Sequence, residues 1–110
     1  MELTTRKVRN VTIIAVQGRI DAVTTPDFEK NILDLIAKDE KMFVLNFSAV
    51  DYISSAGLRS ILSITKKLKE SDGSIVLTGL TGSVEKVFTI SGFQAIFKTF
   101  DSEESALSHM

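Results

Sequence analysis

Two adjacent serines, Ser54 and Ser55, are the residues of this chain best placed to take part in chemistry. They follow an apolar run at residues 42–45 and precede Gly57 and a stretch whose apolar residues recur with helical spacing. This pattern places them between a buried strand and the first turn of a helix. Because the positive end of a helix favours negative charge, a serine hydroxyl here is well placed to carry a phosphate.

A capping role is the simpler interpretation of the same pair. Serine is a favoured N-cap, and a cap contributes about 1 kcal/mol while using only one of the two hydroxyls. Phosphorylation would instead add about −1.5 to −2 charges at one surface point, on a chain whose formal net charge is −1. That charge is compatible with a helix N-terminus but opposes a docked partner. Residue types alone leave both interpretations open.

The chain lacks the residues that would make these serines catalytic. Its single histidine, His109, is next to the end of the sequence, where chains usually fray, so a Ser-His-Asp arrangement has no credible base. Cysteine is absent, which removes disulfides and thiolate chemistry. No EF-hand spacing or histidine cluster is visible. We therefore expect no enzymatic activity, no metal and no cofactor.

The composition indicates one globular domain spanning residues 1–110. A chain of 110 residues supports a single core, and 44% hydrophobic with 25% charged residues is ordinary for a soluble protein. The nearly balanced charge does not favour nucleic acid as a partner. No signal peptide is visible, and no apolar run approaches the roughly 20 residues that span a bilayer. We expect a soluble cytoplasmic protein without membrane insertion.

Strand and helix patterns alternate along the chain. Residues 3–8 and 11–16 predict a hairpin, Thr25 and Pro26 predict the N-cap and first residue of a helix, and residues 58–70 predict a second helix. Strands are expected at 42–45, 74–78 and 96–100, and short helices after Ser83 and after residue 104. The burial of Phe93, Phe97 and Phe100 is left open by their spacing. This order predicts an α/β fold with helices covering a sheet.

Three segments then resemble one family. Residues 46–58, NFSAVDYISSAGL, resemble the signature of the STAS domain, the fold of the bacterial anti-sigma factor antagonists. Residues 18–21, GRID, and residues 87–97, VFTISGFQAIF, are similar to two further segments of that family. The resemblance covers essentially the whole chain. It implies a STAS (SpoIIAA-like) fold, a small mixed β-sheet of about four or five strands with about four α-helices.

The resemblance also implies the site residues. The family's phosphorylated serine falls on Ser55, with Ser54 as the alternative, because the family usually has Asp where this chain has Ser54. The acidic residue after the second strand falls on Asp21, which either orders the acceptor loop or contacts the partner. The partner-binding loop implied by the family is thus Asp21, Ser54, Ser55, Ala56 and Gly57.

Partner switching is the mechanism that the family implies. The unmodified protein would bind an anti-sigma factor, a serine kinase of the histidine-kinase-like ATPase type, and so release a sigma factor for transcription. That kinase would phosphorylate Ser55 and end the complex, and a PP2C-type phosphatase would restore binding. The alternative is a non-switching STAS interaction module, either a stress-signalling scaffold or an accessory subunit of a lipid ABC transporter. Retention of Ser55 and Asp21 favours the switch.

Overall fold

A five-stranded sheet in the order β1-β2-β3-β4-β5 organises the computed structural model, which describes residues 1–110. The strands are β1 Glu2–Val8, β2 Val11–Ile20, β3 Met42–Ile53, β4 Ser74–Thr78 and β5 Thr99–Phe100. The helices are α1 Thr25–Ala37, α2 Ser55–Glu70, α3 Gly82–Ile90 and α4 Glu103–Leu107, with a 3-10 turn at Phe93–Ala95. Only β1 is antiparallel to its neighbour. The predicted α/β class and mixed sheet are confirmed.

Side chains on both faces of β3 are buried, as the apolar run at 42–45 predicts. Phe43 and Leu45 belong to the main core, together with Phe28 of α1 and residues of α2 and α3. Val44 points to the other face and packs in a smaller cluster with Ala106 of α4. Helices α1, α2 and α3 therefore share one face of the sheet, and α4 lies on the other. None of the helices is long and apolar enough to cross a membrane.

β3 is longer than the sequence pattern predicts. The apolar run predicts a strand only at 42–45, yet residues 46–53 continue it to Ile53. Two register shifts against β2 give β3 extra residues, because Ala15 pairs with Asn46 whereas Ile20 pairs with Ile53. As a result the buried side chains beyond residue 46 are Phe47, Val50 and Ile53, spaced by three. This spacing hides the two-residue period by which a regular strand is recognised.

Other element boundaries also differ from the predictions. Helix α1 begins at Thr25, so its N-cap is Thr24 and the predicted N-cap, Thr25, is wrong. Helix α2 begins at Ser55, three residues before the predicted start at residue 58. The last strand contains only Thr99–Phe100, because the left-handed Gly92 and the 3-10 turn occupy the chain before it. Phe97 is buried, while Phe93 and Phe100 are half-buried.

Candidate functional site

The ends of β2 and β3 bring Asp21 and Ser54 to the same edge of the sheet. Ile20 pairs with Ile53, the last residue of β3. The N–H of Ser54 then donates to the carbonyl oxygen of Ile20 at 2.8 Å. Asp21 therefore directly follows the last residue of β2, and Ser54 directly follows the last residue of β3, the neighbouring parallel strand. This end of the sheet carries all of the residues that the family resemblance assigns to the partner-binding loop.

Ser54 is the N-cap of α2. Its Oγ accepts a hydrogen bond from the N–H of Gly57 at 3.2 Å, and its carbonyl oxygen accepts one from Leu58 at 3.0 Å. The backbone of Ser54 is extended, as is usual for an N-cap. Asp is an equally good cap, so Ser54 provides the same local structure as the Asp that the family resemblance implies at this position, without the charge. Its hydroxyl is committed to this role.

Ser55 is the first residue of α2 and is exposed to solvent. Its hydroxyl takes part in none of the side-chain hydrogen bonds at this end of the sheet, which involve Ser54, Asp21 and Thr24. The two serines thus differ sharply in what they can do. Ser54 caps the helix, whereas the hydroxyl of Ser55 is exposed and without a hydrogen-bond partner.

The Ser54→Ala substitution is expected to lower the free energy of unfolding by about 1 kcal/mol, because the N–H of Gly57 loses its partner. Ser55→Ala is the matched control and should change stability by less than about 0.5 kcal/mol, since it removes an exposed hydroxyl without a partner. Urea denaturation followed by circular dichroism measures both. Equal losses in the two variants would contradict the assignment of the cap.

Gly57 allows the start of α2 to pack directly on the strand ends. A Cβ at this position would lie 2.8 Å from Ile20 Cγ2 and 2.8 Å from Ile53 Cγ1, much closer than ordinary contact. Glycine is therefore required for the close approach and not for an unusual backbone angle. The contact fixes Ser55 in relation to β2 and β3. Ser55–Gly57 are consequently helical, and the expected loop is the junction between β3 and α2.

Asp21 orders its own turn rather than the serine segment. Its Oδ1 accepts hydrogen bonds from the N–H groups of Val23 and Thr24, both at 3.0 Å, and its Oδ2 lies 3.7 Å from Arg19 Nε. The hydrogen bond from the Thr24 backbone is the main reason that the pKa of Asp21 is lowered, and the Val23 N–H, the Thr24 hydroxyl and Arg19 act in the same direction. No hydrogen bond joins this carboxylate to Ser54 or Ser55.

Lowering the pH should reduce the stability that the ionised Asp21 carboxylate contributes to the protein. Because folding lowers the pKa of Asp21, its ionised form stabilises the protein fully above the unfolded pKa of about 3.9, and this contribution is lost as the pH falls through the lower folded pKa. We expect Asp21→Asn to lose less stability than the wild type between about pH 5 and pH 2. Thermal denaturation across that range measures the difference. Parallel pH profiles would contradict it.

Exposed apolar groups flank the serine junction. Val23, in the turn after β2, is 85% exposed, and Tyr52, near the end of β3, is 40% exposed. The guanidinium carbon of Arg19 lies 4.3 Å from the centroid of the Tyr52 ring, which holds the ring in place by a cation–π interaction. The sequence pattern does not indicate these residues as part of the site. The pairing of Arg19 with Tyr52 depends on the register shifts of β3 against β2, and the sequence pattern does not predict these shifts.

The surface around Ser55 has no deep cavity. The largest clefts, of about 660 and 670 Å³, lie between β4 and residues 96–98 and between α1 and α2. No cleft of the molecule is lined by any residue of Ser54–Gly57. No three acidic or histidine side chains converge as a metal site. The open surface suits contact with another protein better than capture of a small molecule.

Fold and site together define a small α/β domain that displays one free serine hydroxyl at the start of a helix. The chain belongs to the STAS domain family, whose family model matches residues 2–106. BtrV of Bordetella bronchiseptica, a protein named as an anti-sigma factor antagonist, is 38% identical over 106 residues that cover 96% of this chain and 91% of BtrV. The resemblance seen in the three sequence segments is confirmed.

Solved structures share this fold. An anti-sigma factor antagonist from Thermotoga maritima superposes with a TM-score of 0.92 at 24% identity, over 97% of this chain and 92% of that protein. SpoIIAA, also an anti-sigma factor antagonist, superposes in its unphosphorylated form with a TM-score of 0.76 at 20% identity, over 98% of this chain and 96% of SpoIIAA. SpoIIAA of Bacillus has also been solved in a phosphorylated form. The predicted STAS fold is therefore confirmed.

Proposed function

We propose that this chain, as a single STAS domain, is an anti-sigma factor antagonist that works by partner switching. The unmodified protein binds an anti-sigma factor and thereby releases a sigma factor. The anti-sigma factor is also a serine kinase of the histidine-kinase-like ATPase type, and it transfers a phosphoryl group from ATP to Ser55 Oγ. A PP2C-type phosphatase removes the phosphate. The chain is the substrate in this cycle and catalyses no step, and the cycle operates in the bacterial cytoplasm, where sigma factors act.

The free hydroxyl of Ser55 is the observation that carries this proposal. It is exposed on the first turn of α2, while the neighbouring Ser54 hydroxyl is occupied by the N–H of Gly57. The fixed junction presents this hydroxyl without any need for the fold to change. BtrV, named as an anti-sigma factor antagonist, supports the same role by its similarity over nearly the whole chain.

Charge explains how modification ends the complex. Val23, in the turn after β2, and Tyr52, near the end of β3, are exposed apolar groups at the same end of the sheet as the junction, and tyrosine is common at protein interfaces. A partner that covers this surface removes water from Ser55. A phosphate there brings about −1.5 to −2 charges into the contact, and removing such a charge from water costs several kcal/mol, which a neighbouring cation on the same chain need not offset. The unmodified hydroxyl has no such cost.

Incubation with a candidate ATPase-type anti-sigma factor and Mg-ATP tests the proposal. Mass spectrometry of the peptide that contains both serines is expected to show one phosphate on Ser55, and the Ser55→Ala variant should bind the partner yet remain unmodified. A phosphate on Ser54 would show that the acceptor is assigned to the wrong hydroxyl. Stable binding without modification would favour the alternative, a non-switching STAS interaction module.

A further inference from the structure

Arg59 lies one helical turn after Ser55 on α2. Residues separated by four positions share a helix face, with about 5–6 Å between their Cβ atoms. Arg59 is exposed, and the ion pairs of the protein involve other cations, namely Arg6, Lys7, Arg19 and Lys30. The first turn of α2 contains no acidic residue. The guanidinium is therefore free beside the hydroxyl that the proposed function assigns to phosphorylation.

The order of the two residues suits an anion at position 55. An acidic group that precedes a cation by four residues is the favourable orientation on a helix, and an anion on the first residue of α2 also interacts well with the helix dipole. A phosphate offers three acceptor oxygens, and the planar guanidinium of arginine can donate to two of them at once. Serine itself gives Arg59 no charge to pair with. Only phosphorylated Ser55 supplies a negative charge with which Arg59 can pair.

No other cation on α2 lies within one helical turn of Ser55. Arg19, on β2, is engaged by Tyr52 and lies 3.7 Å from Asp21. Lys66 is exposed on the same face of α2, but eleven residues after Ser55, which is about 16 Å along the helix axis. This distance exceeds the Debye length of about 8 Å at physiological salt. Arg59 is thus the cation within reach of position 55 on this helix.

We propose that Arg59 pairs with the phosphate on Ser55 and holds it in its dianionic form near neutral pH. This inference rests on the proposed function only in taking Ser55 as the acceptor. The second pKa of a phosphoserine is about 6, so part of the phosphate would otherwise be singly charged at mildly acidic pH. With the arginine beside it, the phosphate carries its full charge over a wider pH range. Arg59 is therefore a positioning residue for the modified state and has no corresponding role in the unmodified one.

A phosphorus NMR titration tests the pairing. Phosphoserine is placed at position 55 of the full chain during synthesis, through an expanded genetic code, so that no kinase is needed. The second pKa of the phosphate is expected to be higher by about 0.4 in Arg59→Gln than in the parent, the size typical of an exposed pair at this spacing. In Arg59→Lys the second pKa of the phosphate should stay close to the lower value of the parent. The difference should shrink in about 1 M salt, where the Debye length is about 3 Å.

Lys66→Gln is the matched control, because it removes the same charge from the same helix face. Its titration should coincide with that of the parent. Identical titrations of the parent and Arg59→Gln would overturn the pairing, as would equal shifts in Arg59→Gln and Lys66→Gln. Neither result bears on whether a kinase modifies Ser55. Conversely, a kinase assay that leaves Ser55 unmodified counts against the proposed function and leaves the titration result standing.

Discussion

The Ser55→Asp variant should bind the anti-sigma factor about 100-fold more weakly than the unmodified protein, which corresponds to about 2.7 kcal/mol. The reason is that binding would bury one fixed carboxylate in a desolvated interface that includes Val23 and Tyr52, which carries a desolvation penalty. The effect should be smaller than that of a phosphate, which carries up to twice the charge. Isothermal titration calorimetry with the purified partner measures the dissociation constants.

Ser55→Asn separates charge from size in this experiment. Asparagine has nearly the shape of aspartate without its charge, so Ser55→Asn should bind within about tenfold of the wild type, and Ser55→Ala should bind as the wild type does. If Asn and Asp weaken the complex equally, bulk at position 55 and not charge ends the contact. If Ser55→Asp binds like the wild type, the switching mechanism is wrong for this chain.

Phe88→Ala should have the largest effect on stability, a loss of about 3–5 kcal/mol from a total that is typically 5–15 kcal/mol. Phe88 is fully buried, and its ring centroid lies 6.3 Å from that of Phe47 on β3 and 6.2 Å from that of Phe97. Helix α3 is short, and Thr81 before it makes no side-chain cap. Its attachment to the sheet therefore depends on packing, and Phe88 supplies the central ring.

Ile90→Ala provides the control within the same helix. Ile90 is 85% exposed, so its truncation removes a side chain of similar apolar character with little buried contact and should change stability by no more than about 0.5 kcal/mol. Urea denaturation of the two variants gives the comparison. A loss below about 1 kcal/mol in Phe88→Ala would show that α3 contributes little to the fold.

Regular elements could be predicted from the sequence because their periodicity is intact. The spacing of Phe28 and Ile32 predicts α1, and the uninterrupted run at 42–45 predicts a strand buried on both faces. The second half of β3 could not be predicted, since its bulges replace the two-residue period. Residues 96–98 have strand-like composition, yet the strand contains only Thr99–Phe100, although the carbonyl oxygen of Lys98 accepts a hydrogen bond from the N–H of Leu77 on β4 at 3.0 Å.

The candidate site was predicted in its residue types and refined by its geometry. The sequence places Ser54 and Ser55 next to a helix start, but either could cap it, and only the bond from Gly57 to Ser54 shows which one does. Of the two roles left open for Asp21, hydrogen bonding to the serine loop is wrong, because the carboxylate accepts from the N–H groups of its own turn, and contact with a partner stays a prediction. The nearness of Tyr52 to Arg19 requires knowledge of register, which sequence spacing does not contain.

The strand order of the sheet also bears on how the chain is made. Each strand lies beside the strand that precedes it in sequence, so no pairing has to wait for a distant segment. A chain that emerges from the ribosome N-terminus first can add each strand to the growing edge, although each parallel pair forms only after the segment that connects its two strands has been made. All residues of the junction that carries Ser55 have therefore been synthesised once the first turn of α2 is made, before β4 and β5 exist to extend the sheet.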